Sequence, residues 1–150
     1  SEISYKDGKY DGLSKTWYEN GQLESEISYK DGKYDGLSKI WYENGQLEIE
    51  SNWTNHKKNG LSKTWYENGQ LKSEINYIDG NYDGLSKTWY ENGQLKSKIK
   101  IETNSKGNYI YGLSKSWYEN GQLRSEEKIT EGELISRKCW DENGKEIECE

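Results

Sequence analysis

One motif of twelve residues occurs five times along the chain: Gly-Leu-Ser-Lys-x-Trp-Tyr-Glu-Asn-Gly-Gln-Leu. Its copies begin at Gly12, Gly36, Gly60, Gly84 and Gly112. The first four copies are 24 residues apart, and the fifth follows after 28 because the connection before it carries an insertion. Self-similarity at such a period is typical of repeat architectures, in which each unit stacks on its neighbours. We therefore predict one repeat array over residues 1–150.

The composition is too poor in apolar residues for an ordinary globular core. Hydrophobic residues make up 30% of the chain, and it contains no Phe, Met or Pro. Rings supply the missing apolar volume, since 7 Trp and 13 Tyr combine a large apolar area with a polar atom that can reach water. This composition suits a thin sheet with two wet faces.

Within each unit, the residue pattern indicates β-strands. Trp, Tyr, Ile, Leu and Thr alternate with polar residues between Asn-Gly and Asp-Gly turns, and nothing recurs at helical spacing. The first full unit predicts two antiparallel strands, approximately at residues 12–18 and 22–29, with Asn20 and Gly21 at the tip of their hairpin. The fold class is therefore all-β.

The loop length of this hairpin decides which side chains share a face. A two-residue turn would scatter the apolar residues over both faces. A three-residue loop closed by Gly21 instead pairs Tyr18 with Gln22 and Trp17 with Leu23. We prefer the second arrangement because it collects the apolar residues on one face.

Extended along the strands, the preferred pairing places Leu13 opposite Ile27, with Tyr29 on the same face. The Trp column then forms the core, and Lys15 has to snorkel out from among apolar neighbours. The opposite face would carry Ser14, Thr16, Tyr18, Glu24, Glu26 and Ser28.

The connection from Lys30 to Gly36 is predicted to be a longer turn with glycine at both ends, Gly32 and Gly36. In the third copy, His56 stands where the neighbouring copies have glycine. We interpret this histidine as a tolerated turn residue.

The repeated sequence resembles a known family. Tyr-Lys-Asp-Gly-Lys-Tyr-Asp-Gly, followed by a strand and Tyr-Glu-Asn-Gly, is similar to the MORN repeat, and closer still to its variant in bacterial YwqK-family antitoxin proteins. The resemblance extends over essentially the whole chain. It implies an elongated single-layer antiparallel sheet of tandem β-hairpins with no catalytic residue. It does not identify a partner.

Residues 133–150 depart from the repeat and predict a degenerate C-terminal capping hairpin. If Asp141 pairs with Lys145, Cys139 lies diagonal to Cys149, which would allow a disulfide with some strain. Two free thiols are the alternative.

The sequence offers no set of residues suited to catalysis. There is one histidine, two cysteines without a histidine cluster, and acids that recur in every copy. We predict no enzyme, no cofactor and no metal site. The recurring turn glutamates are interpreted as solvated residues: Glu19, Glu43, Glu67, Glu91 and Glu119.

The tyrosines that follow each repeated Trp are candidate partner-binding residues. Two strands per unit would place them in a column about 10 Å apart on the polar face. They serve either as aromatic anchors for an extended partner or in cross-strand packing. The column consists of Tyr18, Tyr42, Tyr66, Tyr90 and Tyr118.

A second column changes sign along the array. Glu24 and Glu48 give way to Lys72, Lys96 and Arg124. A partner with a matching charge gradient would be held in register by this column, and drift at exposed positions is the alternative.

The inserted connection, from Thr103 to Tyr111, is a third candidate site. It is expected to be an irregular loop with Tyr109, Ile110 and Tyr111 exposed, and such loops on regular scaffolds often carry function. Ordinary loop variation would also account for it.

Charge and hydropathy limit the partners. The net charge is −6 with both signs mixed, which does not favour nucleic acid or anionic lipid. No apolar run approaches the roughly 20 residues that a membrane span needs, and no signal peptide is present. The chain lacks an initiator Met and opens inside a repeat. Together with the cap cysteines, and with the signals that its relatives often carry, this suggests an exported or cell-surface bacterial protein.

We predict a non-enzymatic scaffold that mediates protein–protein interaction, as an antitoxin-like protein or an adaptor. An alternative is carbohydrate or cell-wall binding through the repeated rings, since Trp-Tyr repeats with Asn-Gly turns also resemble choline- and glucan-binding repeats. A second alternative is a structural array, a homo-oligomer whose open ends stack.

Overall fold

The computed structural model describes residues 1–103 and 109–149, and this part of the chain consists of strands and turns without a helix. The strands are β1 (Tyr5–Lys6), β2 (Lys9–Tyr10), β3 (Gly12–Trp17), β4 (Leu23–Lys30), β5 (Lys33–Trp41), β6 (Leu47–Thr54), β7 (Lys57–Trp65), β8 (Leu71–Ile78), β9 (Asn81–Trp89), β10 (Leu95–Thr103), β11 (Tyr109–Trp117), β12 (Leu123–Thr130), β13 (Glu133–Trp140) and β14 (Glu146–Ile147).

Strands β3 to β14 form one antiparallel sheet in which each strand pairs with its neighbours in chain order. This confirms the predicted array of tandem hairpins. Strands β1 and β2 form a separate short hairpin, and Glu2 pairs with Lys15 beside β3. The outer edge of β3 is therefore partly covered.

The Asn-Gly hairpins have the predicted three-residue loop. In the first, the Tyr18 amide donates to the Gln22 carbonyl at 2.9 Å, and the Gly21 amide donates to the Tyr18 carbonyl at 3.0 Å. Gly21 has a φ of 85°, which glycine adopts without steric cost. Trp17 pairs with Leu23, as the loop length predicts.

Beyond that pair, the predicted pairing of residues across the hairpin is wrong. A bulge between Thr16 and Trp17 shifts the pairing by one, so that Lys15 pairs with Glu26 instead of lying among apolar residues. Their side chains form an ion pair at 3.1 Å. Ile27 and Tyr29 consequently lie on the side of Tyr18 and not on that of Trp17.

The Asp-Gly connection is also shorter than the long turn that the sequence predicts. Lys30 pairs directly with Lys33 around the two-residue turn Asp31-Gly32, whose residues have φ of 51° and 80°. Two successive positive φ values fit a tight hairpin turn of type I′. Gly36 lies inside β5 at a bulge, not at the end of a turn.

The sheet has no apolar core. Among the described residues, no apolar side chain is buried, and the buried polar ones are Ser38, Ser51 and Ser62. Trp17 is 38% exposed, so the prediction that the Trp column forms a core is wrong. A single layer leaves each face open to water, and the rings can only cover their neighbours.

Alternation along the strands gives the sheet two different faces. We call the one with Trp17 and its equivalents the Trp face, which also carries Leu13, Lys15 and Glu26. We call the other the Tyr face, which carries Tyr18, its equivalents and rows of Ser, Thr and Ile.

Alternating charges cross the middle of the Trp face. Cross-strand ion pairs recur in successive hairpins: Lys15–Glu26 at 3.1 Å, Lys39–Glu50 at 3.3 Å, Lys63–Glu74 at 3.7 Å, and Lys115 with Glu126. On β10 the position is occupied by Lys98, which lies between Lys87 and Lys115. The alternation is broken there by three adjacent lysines.

We expect Lys98→Glu to raise the free energy of unfolding by about 1 kcal/mol, because two like-charge pairs become opposite-charge pairs. Urea unfolding followed by Trp fluorescence measures the change. Glu50→Lys, which creates the same three-lysine arrangement on β6, is the matched control and should lower stability by a similar amount. An unchanged urea midpoint for Lys98→Glu would contradict the role assigned to this row.

The terminal hairpin is closed by a disulfide between Cys139 and Cys149, whose Cα atoms are 5.4 Å apart. Asp141 pairs with Lys145 through a backbone hydrogen bond of 2.9 Å, and Cys139 pairs with Ile147. The disulfide therefore ties the short last strand to β13.

Replacing both cysteines by serine should destabilise this hairpin by roughly 2–3 kcal/mol, because a closed loop of this size restricts the unfolded chain. Hydrogen exchange should show lost protection at Glu146 and Ile147. Amides of β5 to β8 serve as the internal control, because a repeat unit contacts only its neighbours. Uniform loss of protection along the array would contradict this expectation.

Candidate interaction surface

The described residues include no group of three or more His, Cys, Asp or Glu side chains that could hold a metal ion. They also include no helix that is long and apolar enough to cross a membrane. His56 lies on an exposed turn, where its Nδ1 accepts a hydrogen bond of 3.2 Å from the Tyr34 amide. Its ring packs edge-on against that of Tyr34, which agrees with a structural turn residue.

Each candidate tyrosine of the repeated column joins its repeat to the next. The Tyr18 hydroxyl donates to the Trp41 carbonyl at 2.6 Å, on the adjacent repeat. The same bond recurs for Tyr42–Trp65, Tyr66–Trp89 and Tyr90–Trp117 at 2.8 Å, and for Tyr118–Trp140 at 3.0 Å. These hydroxyls are therefore engaged within the sheet, and the tyrosine rings are half-buried.

The hairpin tips are linked in the same direction. The Asn20 side-chain amide donates to the Glu43 carbonyl of the next repeat at 3.0 Å, while its oxygen accepts from the Gln22 amide at 2.9 Å. The same two bonds recur in the following hairpins. The tips thus hold successive tyrosines at a fixed spacing.

The charged column that changes sign lies directly against the tyrosine column. Lys72 and Lys96 each place their Nζ 5.2 Å from the centre of a tyrosine ring, Tyr66 and Tyr90 respectively. The guanidinium carbon Cζ of Arg124 lies 5.6 Å from the centre of the Tyr118 ring. A cation over a ring face is attracted by the ring quadrupole, so these three charges are held in place.

The acidic half of the column adjoins the first two tyrosines. Burial raises the pKa of Tyr18, and Glu24 and Glu48 raise it further. Burial and then Glu48 raise the pKa of Tyr42 in the same way. The carboxylates are thus close enough for their charge to act on the ring hydroxyls.

A second row of rings, which the sequence analysis did not anticipate, runs along the Asp-Gly side of the Tyr face. Its centroids are 4.9–5.3 Å apart through Tyr5, Tyr10, Tyr29, Tyr34 and Trp53. Beyond Lys58 it resumes with Tyr77 and Tyr82, 5.2 Å apart. We call this the aromatic row. The sequence signal for this row was a pair of tyrosines five residues apart, one on each side of an Asp-Gly turn. The two-residue turn places these two tyrosines opposite each other.

Rings in this row contact one another and are tilted by 29–57° between neighbours. Ring-to-ring packing of this kind stabilises the sheet.

The inserted connection differs from its prediction. The strand β11 begins at Tyr109, and Thr103 pairs with Tyr109 across a bulge, so the tripeptide at 109–111 is strand and not loop. Tyr111 is half-buried and pairs with Glu102. Residues 104–108 lie outside the described residues. Strand pairing between β10 and β11 extends to the insertion because the pair Ile101–Gly112 continues the register that the two strands have further from the loop.

The sequence matches the model of the MORN repeat variant family at residues 10–31, 34–55, 58–79, 82–101 and 110–128. The chain belongs to the MORN repeat variant family. MORN repeats are generally modules that bind proteins or membranes and are not typically enzymatic. A comparison with curated proteins returns no match.

The aromatic row should make this MORN array sensitive to alkali. Burial above all, with the Tyr34 hydroxyl as a second cause, raises the pKa of Tyr29 to about 12, whereas an unfolded tyrosine ionises near 10. Between these values the unfolded chain binds fewer protons, so the free energy of unfolding falls as pH rises. We expect Tyr29→Phe to flatten this fall, as measured by urea unfolding from pH 9 to about 12. Equal slopes for both proteins would contradict the shift.

Proposed function

We propose that this MORN array is a non-enzymatic scaffold, in an antitoxin-like or adaptor role, that binds a protein partner along its Tyr face. The observation that carries the proposal is the sign change beside the tyrosine column. Carboxylates at Glu24 and Glu48 are followed by cations held over the rings of the last three repeats. A partner with the opposite gradient is favoured in one direction and one register.

The geometry suits an extended contact. Strands β4 and β12 are eight strands apart, so the charged column spans about 40 Å. The bonds between repeats fix the spacing of its members before any partner arrives, and a preorganised surface loses less entropy on binding.

Reversing the basic half of the column tests the proposal. Affinity capture from a lysate of the native host compares the wild-type chain with Lys72→Glu/Lys96→Glu/Arg124→Glu. We expect one principal protein, retained by the wild type with at least about tenfold higher affinity than by the variant, because charge pairs set register and affinity. A control variant, Lys9→Glu/Lys33→Glu/Lys57→Glu, has the same charge change at the exposed first residues of β2, β5 and β7 and should bind normally.

The outcomes separate the candidate functions. A protein captured equally by the wild type and both variants would contradict the charge-gradient interface. Capture of polysaccharide alone would contradict protein binding altogether. A third variant, with serine at Tyr109, Ile110 and Tyr111, tests whether the inserted connection is a further contact for the same protein.

A further inference from the structure

One cavity lies where the repeats cease to be equivalent. Residues 1–24 and 25–48 are identical except for Thr16 in the first and Ile40 in the second. The Thr16 hydroxyl bonds to Ser25 across the hairpin at 2.7 Å. Equivalent hydroxyl pairs occur in the later hairpins at Thr64–Ser73, Thr88–Ser97 and Ser116–Ser125. In the second hairpin, Ile40 instead pairs with Ile49.

Two further departures lie beside this isoleucine pair. In the aromatic row, the Asp-Gly hairpins carry Tyr29 opposite Tyr34 and Tyr77 opposite Tyr82. The hairpin between them carries Trp53 and Lys58 at the equivalent paired positions. A hydroxyl pair and a ring pair are thus both replaced within three adjacent strands, β5 to β7.

The four replaced residues line a single cavity of about 350 Å³ on the Tyr face, together with Ile27 and Tyr34. This volume is at the lower end of the range for small-molecule sites. Ser38 also lines it, and the Ser38 hydroxyl oxygen is buried without a hydrogen-bond partner among the described residues. The walls are therefore mainly apolar, with few polar groups.

Lys58 is the only charged residue lining this cavity among the described residues. Its Nζ lies 5.7 Å from the Trp53 ring centre and 5.2 Å from that of Tyr77. No described carboxylate lies within ion-pair distance of it. Burial lowers the pKa of Lys58, because partial removal from water disfavours the charged ammonium.

We propose that this cavity binds a small amphiphilic carboxylate, whose anionic group pairs with Lys58 and whose apolar body lies against Ile40, Ile49 and Trp53. The ligand supplies the counter-ion that the lysine lacks and covers the apolar wall. The lysine row around Lys98 lies on the Trp face, away from these apolar walls, which is why the anion is assigned here. This inference does not depend on the proposed protein interface.

The test uses sodium octanoate as the probe and the full chain with ¹³C-labelled isoleucine methyl groups. At neutral pH, we expect a Kd of about 1 mM or tighter, with shifts concentrated at Ile27, Ile40 and Ile49. The neutral analogue 1-octanol should bind at least about tenfold more weakly, because it cannot pair with Lys58.

The repeats supply variants that keep a natural sequence pattern. Lys58→Tyr restores the ring found in the other hairpins, and Ile40→Thr/Ile49→Ser restores the hydroxyl pair. Each should reduce octanoate affinity at least about tenfold while the chain stays folded. For the double variant, Ile27 and the Trp53 indole report binding. Thr88→Ile/Ser97→Ile, which builds an isoleucine pair far from Lys58, is the control and should create no second site.

Four results would overturn the proposal, and three of them concern binding strength. These are no shifts with octanoate, equal affinity of wild type and Lys58→Tyr, or equal affinity for octanoate and octanol. Shifts spread evenly over isoleucines outside the cavity, such as Ile99 and Ile101, would also overturn it.

Discussion

The structure depends on cross-strand pairing in a sheet that has no core. Because no described apolar side chain is buried, the sheet cannot rely on the burial that stabilises a layered domain. The backbone hydrogen bonds between strands, the ring contacts and the side-chain hydrogen bonds between repeats together have to stabilise the sheet. The Tyr18 hydroxyl illustrates this, since it reaches the Trp41 carbonyl one repeat away and so couples its hairpin to the next one along the chain.

The bulges follow from the same constraint. With a hydrophobic core, grouping apolar residues on one face decides register. In this sheet both faces contact water. The one-residue shift in strand pairing after Leu23 gives up a weak grouping of apolar residues and forms the Lys15–Glu26 ion pair. One such pair contributes little on a surface, but here pairs recur in neighbouring hairpins as a row, and networks of charges are more favourable than isolated pairs.

The sequence was informative at the Asn-Gly turns, where local turn chemistry decides the structure, but the Asp-Gly connection was predicted to be longer than the two-residue turn that forms. Gly21 predicted the three-residue loop, and hence the pairing of Trp17 with Leu23, because a left-handed residue is needed there. The bulge beyond it was missed because apolar grouping was used as the criterion. The sequence identified the positions of the tyrosine column. It did not predict the hydrogen bonds from these tyrosines to the next repeat, because those bonds depend on how far each hairpin is offset from its neighbour.

Regular repetition also limits what an array can recognise. Identical units offer identical surfaces, so a partner could bind in several registers with nearly equal affinity, and specificity requires a difference between registers. The places where this array departs from its own pattern are therefore the ones that can fix a register. We propose that the sign change at Lys72 does so along the Tyr face and that the Ile40–Ile49 pair does so at one cavity. Both of these departures lie on the Tyr face, whereas the lysines that break the charge alternation around Lys98 lie on the Trp face.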